Sequence, residues 1–237
     1  MDWPVRLPLV AIGAAVLISA AALANHPGEG LDAAMADRER YFEAIDRSVP
    51  GFMLQDTEGR LLSPREFEGK VVVLQFIYTH CPDVCPLHTD RLVGIQDLVN
   101  QTAMKDLVRF VSITTDPSRD TSDVFQDYAD AHGIDRANWT LLRPQPDQTE
   151  DSTRTLAEAF GHRFTMGEHG LQMHGVVTHI VDRQGRWRAN FHGLEFADIN
   201  LVQYFNQLTN ELGGQVQHDP SGFWGRLLDY LGLGKSQ

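Results

Sequence analysis

The run Val71-Val72-Val73-Leu74-Gln75-Phe76-Ile77-Tyr78 is almost unbroken in its apolar, strand-forming character. A run of this length and composition predicts a strand buried on both faces, which only a sheet covered above and below can accommodate. It leads directly into Thr79-His80-Cys81-Pro82-Asp83-Val84-Cys85-Pro86, the loop that holds both cysteines of the chain. From Leu87 to Asn100, Leu92, Ile95, Leu98 and Val99 give a helix with one apolar side. Two thiols therefore sit where a core strand turns into a helix, a usual location for chemistry in an α/β fold.

The remaining pattern builds a sheet around that strand. Phe52 to Leu62 reads as a hairpin turning at Asp56 to Gly59, and Ser63 caps a short helical turn over Pro64 to Phe67. Strands are predicted over 107–114, 139–142, 176–181 and 186–191, and helices over 120–132, 149–160 and 198–212. Alternation of this kind predicts an α/β fold with a central mixed sheet, helices on both faces and an N-terminal β-hairpin. Between the last two predicted helices lies a loop containing His162, Met166, Glu168, His169, Met173 and His174.

The ends of the chain differ from its middle. Residues 1–24 carry one basic residue, Arg6, then an uncharged apolar stretch ending in Ala22-Leu23-Ala24, and read as a cleaved signal peptide or a membrane anchor. Residues 25–48 read as a linker and a solvated lead helix over 32–44, 49–213 as the globular domain, and 214–237 as an amphipathic tail with Phe223, Trp224, Leu227, Leu228 and Leu231 at helical spacing. Both readings of residues 1–24 send the domain across a membrane. The formal net charge of −12 argues against a nucleic-acid partner, because phosphate binding needs a basic face.

A pair of cysteines so close together closes too small a loop to staple a fold, and serves redox chemistry or a metal better. Pro82 biases Cys81 towards extended backbone, and Pro86 suits the first turn of the helix. Cys85 then lies at the helix N-terminus, where free N–H groups and the peptide dipole stabilise a thiolate. Two thiolates select a soft metal such as Cu(I), or Zn(II), and a copper site is complete with one added imidazole. His80, His88, His162, His169, His174 and His179 are all candidates for it, and spacing alone does not choose among them. Met166 and Met173 are soft donors that also fit ordinary packing.

Phe52-x-Leu54-x-Asp56-x-x-Gly59, Phe67-x-Gly69-Lys70 and Thr79-His80-Cys81-Pro82-Asp83-Val84-Cys85-Pro86 together resemble the Sco/SenC proteins. The resemblance continues at Asp116-Pro117-Ser118-Arg119-Asp120-Thr121 and at His174-Gly175-Val176-Val177-Thr178-His179-Ile180-Val181-Asp182-x-x-Gly185, and spans roughly residues 49–212. It implies a thioredoxin-like fold and a copper chaperone whose ligands are Cys81, Cys85 and His174, carrying Cu(I) or Cu(II). The implied partner is the copper-bearing subunit of cytochrome c oxidase, with other copper chaperones. The implied location is the periplasmic side of the inner membrane. Asp116 reads as a group at a strand end that supports the ligands or forms a turn. The family usually has Ser or Thr where this chain has Gly175, and an aromatic residue where it has His179. His179, five residues after His174, would point to the opposite face of a shared strand and so reads as packed. The alternative to a chaperone is a thiol–disulfide oxidoreductase in which Cys81 and Cys85 are the redox pair and Cys81 attacks. A peroxidase reading is weaker, because no arginine lies in the cysteine loop.

Overall fold

The computed structural model describes residues 29–167 and 172–211. Residues 1–28, the tail from 212 onward, and Glu168 and His169 lie outside that range, as does the side chain of Met173. Among the described residues no helix is long and apolar enough to cross a membrane.

The buried run becomes strand β4 (Val71–Ile77), with all seven positions buried. It pairs in parallel with β5 (Val108–Thr114), from Val71 against Val108 to Ile77 against Thr114, and β5 pairs in parallel with β6 (Trp139–Arg143). On its other side β4 meets β9 (Val177–Val181) antiparallel, and β9 meets β10 (Arg186–His192). The predicted hairpin, β2 (Leu54–Asp56) and β3 (Leu61–Leu62), adds antiparallel to β6 at the far edge. Parallel neighbours need crossovers. Helices α2 (Val84–Asn100) and α3 (Ser122–Ala131) supply them for β4–β5–β6, and α4 (Ser152–Ala159) and α5 (Asp198–Asn210) follow later in the chain.

Alternation along β4 splits the core into two layers. Val71, Val73 and Ile77 pack with Leu92 and Ile95 of α2, Phe125 of α3, and Leu201 and Phe205 of α5. Val72, Leu74 and Phe76 face Leu156 and Phe160 on the α4 side, together with Phe67 and Trp187. The mixed sheet with helices on both faces is as expected. One expected apolar position, Leu98, is instead 45% exposed.

The expected solvated helix over 32–44 is two elements, and both belong to the sheet and its core. Helix α1 spans Glu29–Arg38, and β1 (Phe42–Ser48) pairs antiparallel with β10 as the other sheet edge. Leu31 and Met35 lie one turn apart on one side of α1 and are buried. Phe42 packs edge to face on Phe191 and Tyr204, with ring centroids 5.4 and 5.3 Å away. Two of the acidic residues that suggested solvation, Asp32 and Glu39, are held internally. Asp32 pairs with the buried Arg188 and accepts from the Tyr204 hydroxyl, while Asp182 and Glu211 complete the Arg188 shell. Glu39 accepts from the backbone N–H groups of Tyr41 and Ala197 and from Asn200. The loop after α4 also contains a structure that its polar sequence concealed. Two-residue strands β7 (Thr165–Met166) and β8 (Gln172–Met173) pair antiparallel.

Because Met35 is fully buried, Met35→Ala should lower the unfolding free energy by about 2–5 kcal/mol. Denaturant titration checks this, and a loss under about 0.5 kcal/mol, the size of a surface substitution, would mean α1 is not part of the cooperative core.

Candidate metal centre

The cysteine loop begins at Tyr78, the residue after β4, and the Cys81 N–H donates to the Tyr78 carbonyl at 3.2 Å. Helix α2 starts at Val84, three residues before the expected start, so Cys85 sits in its first turn. Asp83 holds the cap position but makes no side-chain capping bond. The Cys81 sulfur lies 3.5 Å from the Cys85 N–H and accepts it instead. Both thiols are free and buried, with Cys81 7% and Cys85 3% exposed.

The two thiols differ in acidity. Burial pushes Cys81 up, but the Asp83 and Cys85 N–H groups, the Cys85 thiol and the Tyr78 hydroxyl outweigh it, leaving Cys81 below the ordinary thiol value. Burial pushes Cys85 far up, and the neighbouring Cys81 adds to the effect. The stabilised thiolate is therefore Cys81, not Cys85 as the helix-terminus argument predicts. The helix N–H groups reach back to the earlier sulfur.

Asp120 anchors this loop from the next crossover. It is 0% exposed, accepts from the Thr79 N–H and the Thr79 hydroxyl, and accepts from the Thr114 hydroxyl at the end of β5. Asp116 takes the second of its two expected roles, forming a turn with Ser118 and Arg119, and Asp120 takes the supporting place. His80 points outward, with Nδ1 3.0 Å from the Thr79 hydroxyl.

Tyr78 ties the cysteine loop to the histidine loop. Its carbonyl accepts the Cys81 N–H, and its hydroxyl donates to the Gln172 carbonyl at 3.1 Å and accepts the Gln172 N–H at 3.1 Å. Gln172 also donates from its side chain to the Thr115 carbonyl. Strand β8 is thus fastened to the ends of β4 and β5, two residues before His174. The His174 ring rests against Phe164 and His162, with centroids 5.2 and 5.3 Å away, and Nδ1 lies 3.0 Å from the Gly175 carbonyl. Its Nε2 is buried and meets no hydrogen-bond partner among the described residues. An orphaned imidazole nitrogen and two thiols are the donors a soft cation takes. Among the described residues no three His, Cys, Asp or Glu side chains converge into a metal cage, so His174 is not gathered to the cysteines in this structure.

His88 is one turn beyond Cys85 and is buried, with Nε2 2.8 Å from the Thr178 hydroxyl. His179 is packed, as expected, but for another reason. His174 precedes β9 rather than sharing it, and both rings flank His162. Met166 is 53% exposed beside Arg154.

The SCO1/SenC family model matches residues 43–210. The chain belongs to the SCO1/SenC family. A mitochondrial SCO2 homolog of Danio rerio is 34% identical over 160 residues, spanning 68% of this chain and 52% of that one. Among solved structures, BsSco, described as a member of the Sco family of cytochrome c oxidase assembly proteins with a disulfide switch, superposes with a TM-score of 0.62 at 20% identity, covering 70% of this chain and 96% of that one. Arabidopsis thaliana ScoI with copper bound gives 0.57 at 22% identity, covering 67% and 98%. These likenesses show that this Sco chain has the thioredoxin-like fold.

Burial holds His88 and His179 at about 3, below the ordinary value of 6.5, with His162 packed against His179. The folded state refuses protons that the unfolded state accepts below 6.5. Stability is therefore full above that pH and falls as pH drops towards about 3, by up to about 1.4 kcal/mol per pH unit for each such histidine. His179→Phe should flatten the slope of unfolding free energy against pH over this window. An unchanged slope would mean His179 is not held neutral.

Proposed function

We propose that this Sco protein carries copper as cargo on the thiolates of Cys81 and Cys85 with the imidazole of His174, for delivery to the dinuclear copper centre of cytochrome c oxidase. The observation that carries the reading is Tyr78, whose carbonyl accepts the Cys81 N–H and whose hydroxyl bonds the strand leading to His174. Family membership, and relatives described as copper-bound and as cytochrome c oxidase assembly proteins, support it. Binding asks both thiols to lose their protons. Cys81 is predisposed to do so, and the metal displaces the proton of Cys85. The cysteines form a fixed platform on a buried strand and helix, while His174 stands on a short hairpin. A partner's ligand can replace His174 while the sulfurs still hold the ion. Residues 1–24 then deliver the domain outside the cytoplasm, on the periplasmic side of the inner membrane, as a signal or an anchor.

The unequal thiols favour a second reading. A low-pKa Cys81 beside a protonated Cys85 is the pairing of an attacking and a resolving thiol in a disulfide oxidoreductase. Metal analysis separates the two. The chaperone reading predicts one copper per reduced chain, lost in Cys81→Ser and in Cys85→Ser and weakened in His174→Ala. Absence of bound copper, with a readily cycled Cys81–Cys85 disulfide, would establish the oxidoreductase instead.

A further inference from the structure

A chain of buried polar groups runs beside the His174 loop, and its proton positions are fixed from one end. Trp187 Nε1 can only donate, so the Asn190 atom it meets at 2.9 Å is the oxygen. The amide nitrogen of Asn190 then faces Glu43, whose carboxylate can only accept, at 3.2 Å. The same Asn190 oxygen accepts from His179 Nδ1 at 2.7 Å, so Nδ1 carries the ring proton of His179. As a neutral ring, His179 has a bare Nε2, and His162 Nε2 must donate to it across 2.9 Å. His162 is left with its lone pair on Nδ1, in a side chain only 5% exposed. That Nδ1 meets no hydrogen-bond partner among the described residues. The Gly175 carbonyl also lies near this ring, but a carbonyl can only accept and so gives a bare Nδ1 no partner. By the same logic His174, donating from Nδ1, has its lone pair on Nε2, the second orphaned nitrogen.

Two neighbouring rings, with centroids 5.3 Å apart, thus each keep a buried lone pair with nothing to accept. Such groups are rare and unfavourable in folded proteins, and each calls for an explanation. A cation that takes imidazole satisfies both. A ligating histidine ordinarily donates its other N–H to a fixed acceptor, and here those acceptors are the Gly175 carbonyl and His179. We propose that His162 is a second imidazole donor for copper, presenting Nδ1 beside His174 Nε2. His179 and Asn190 are positioning residues that hold His162 in the tautomer with Nδ1 bare. The identity of the metal rests on the copper-cargo reading, but the imidazole pair depends on neither thiol. A phenylalanine at 179 would supply no acceptor for the His162 N–H. The second donor is therefore a property of this chain's His162–His179 pair.

The test uses the full chain carrying Cys81→Ser and Cys85→Ser, with one equivalent of Cu(II) as the probe. Electron spin echo envelope modulation counts the bound imidazoles. His162→Gln and His174→Ala should each remove one imidazole from that count. An unchanged count in His162→Gln overturns the proposal. His179→Phe keeps an aromatic ring against Phe76, Phe160 and Trp187, and so tests the tautomer without emptying the core. It should weaken Cu(II) binding by about 10–100-fold with an unchanged circular dichroism spectrum. Full affinity in His179→Phe also overturns the proposal. The sulfur-to-copper charge-transfer band of the unsubstituted chain reports the thiol site separately, so a failure there is distinguishable from a failure of the imidazole pair.

Discussion

Burial of every position of β4 is the constraint from which the rest of the structure follows. A strand covered on both faces requires neighbours on both edges and helices above and below. β5 and β9 supply the neighbours, and α2 must leave the end of β4 to cross over to β5. The cysteine loop is that exit. Its backbone begins in the core at Tyr78 and is fixed by Asp120 through Thr79 and Thr114. The thiols are rigid because they continue the most deeply buried element of the protein.

The chemistry follows from where the polar groups can go. Helix α2 has no side-chain cap, and the Cys81 sulfur takes one of its open N–H groups. That lowers the Cys81 thiol, while burial, reinforced by the neighbouring Cys81, raises Cys85. The histidine side of the site is built from the opposite material. Strands β7 and β8 pair over two residues each and depend on Tyr78 and Thr115 for their attachment. A firm sulfur platform facing a lightly fastened imidazole suits an ion that is to be handed on.

Much of this was legible in the sequence because it lay in strong periodic signals. The apolar run at 71–77, the Asp56–Gly59 turn and the Ser63 cap are local features, and each forms as its residues dictate. What was not legible depended on distant partners. Asp32 and Glu39 carry the signature of a solvated helix until Arg188 and Asn200 are brought to them across the fold. Asp120 is one of several acids in its segment, and only the tertiary structure shows that it, rather than Asp116, reaches Thr79. His162 and His179 were visible as histidines, but their shared hydrogen bond links the loop after α4 to β9, 17 positions apart in sequence. The sequence signal that pointed towards His162 was the density of histidine and methionine between 162 and 174.

The central claim is that both sulfurs hold the cargo. X-ray absorption at the copper edge of the reduced, Cu(I)-loaded chain tests it most directly. The account predicts a shell of two sulfur scatterers with imidazole nitrogen completing the coordination. A shell of nitrogen and oxygen alone, or of a single sulfur, would contradict it.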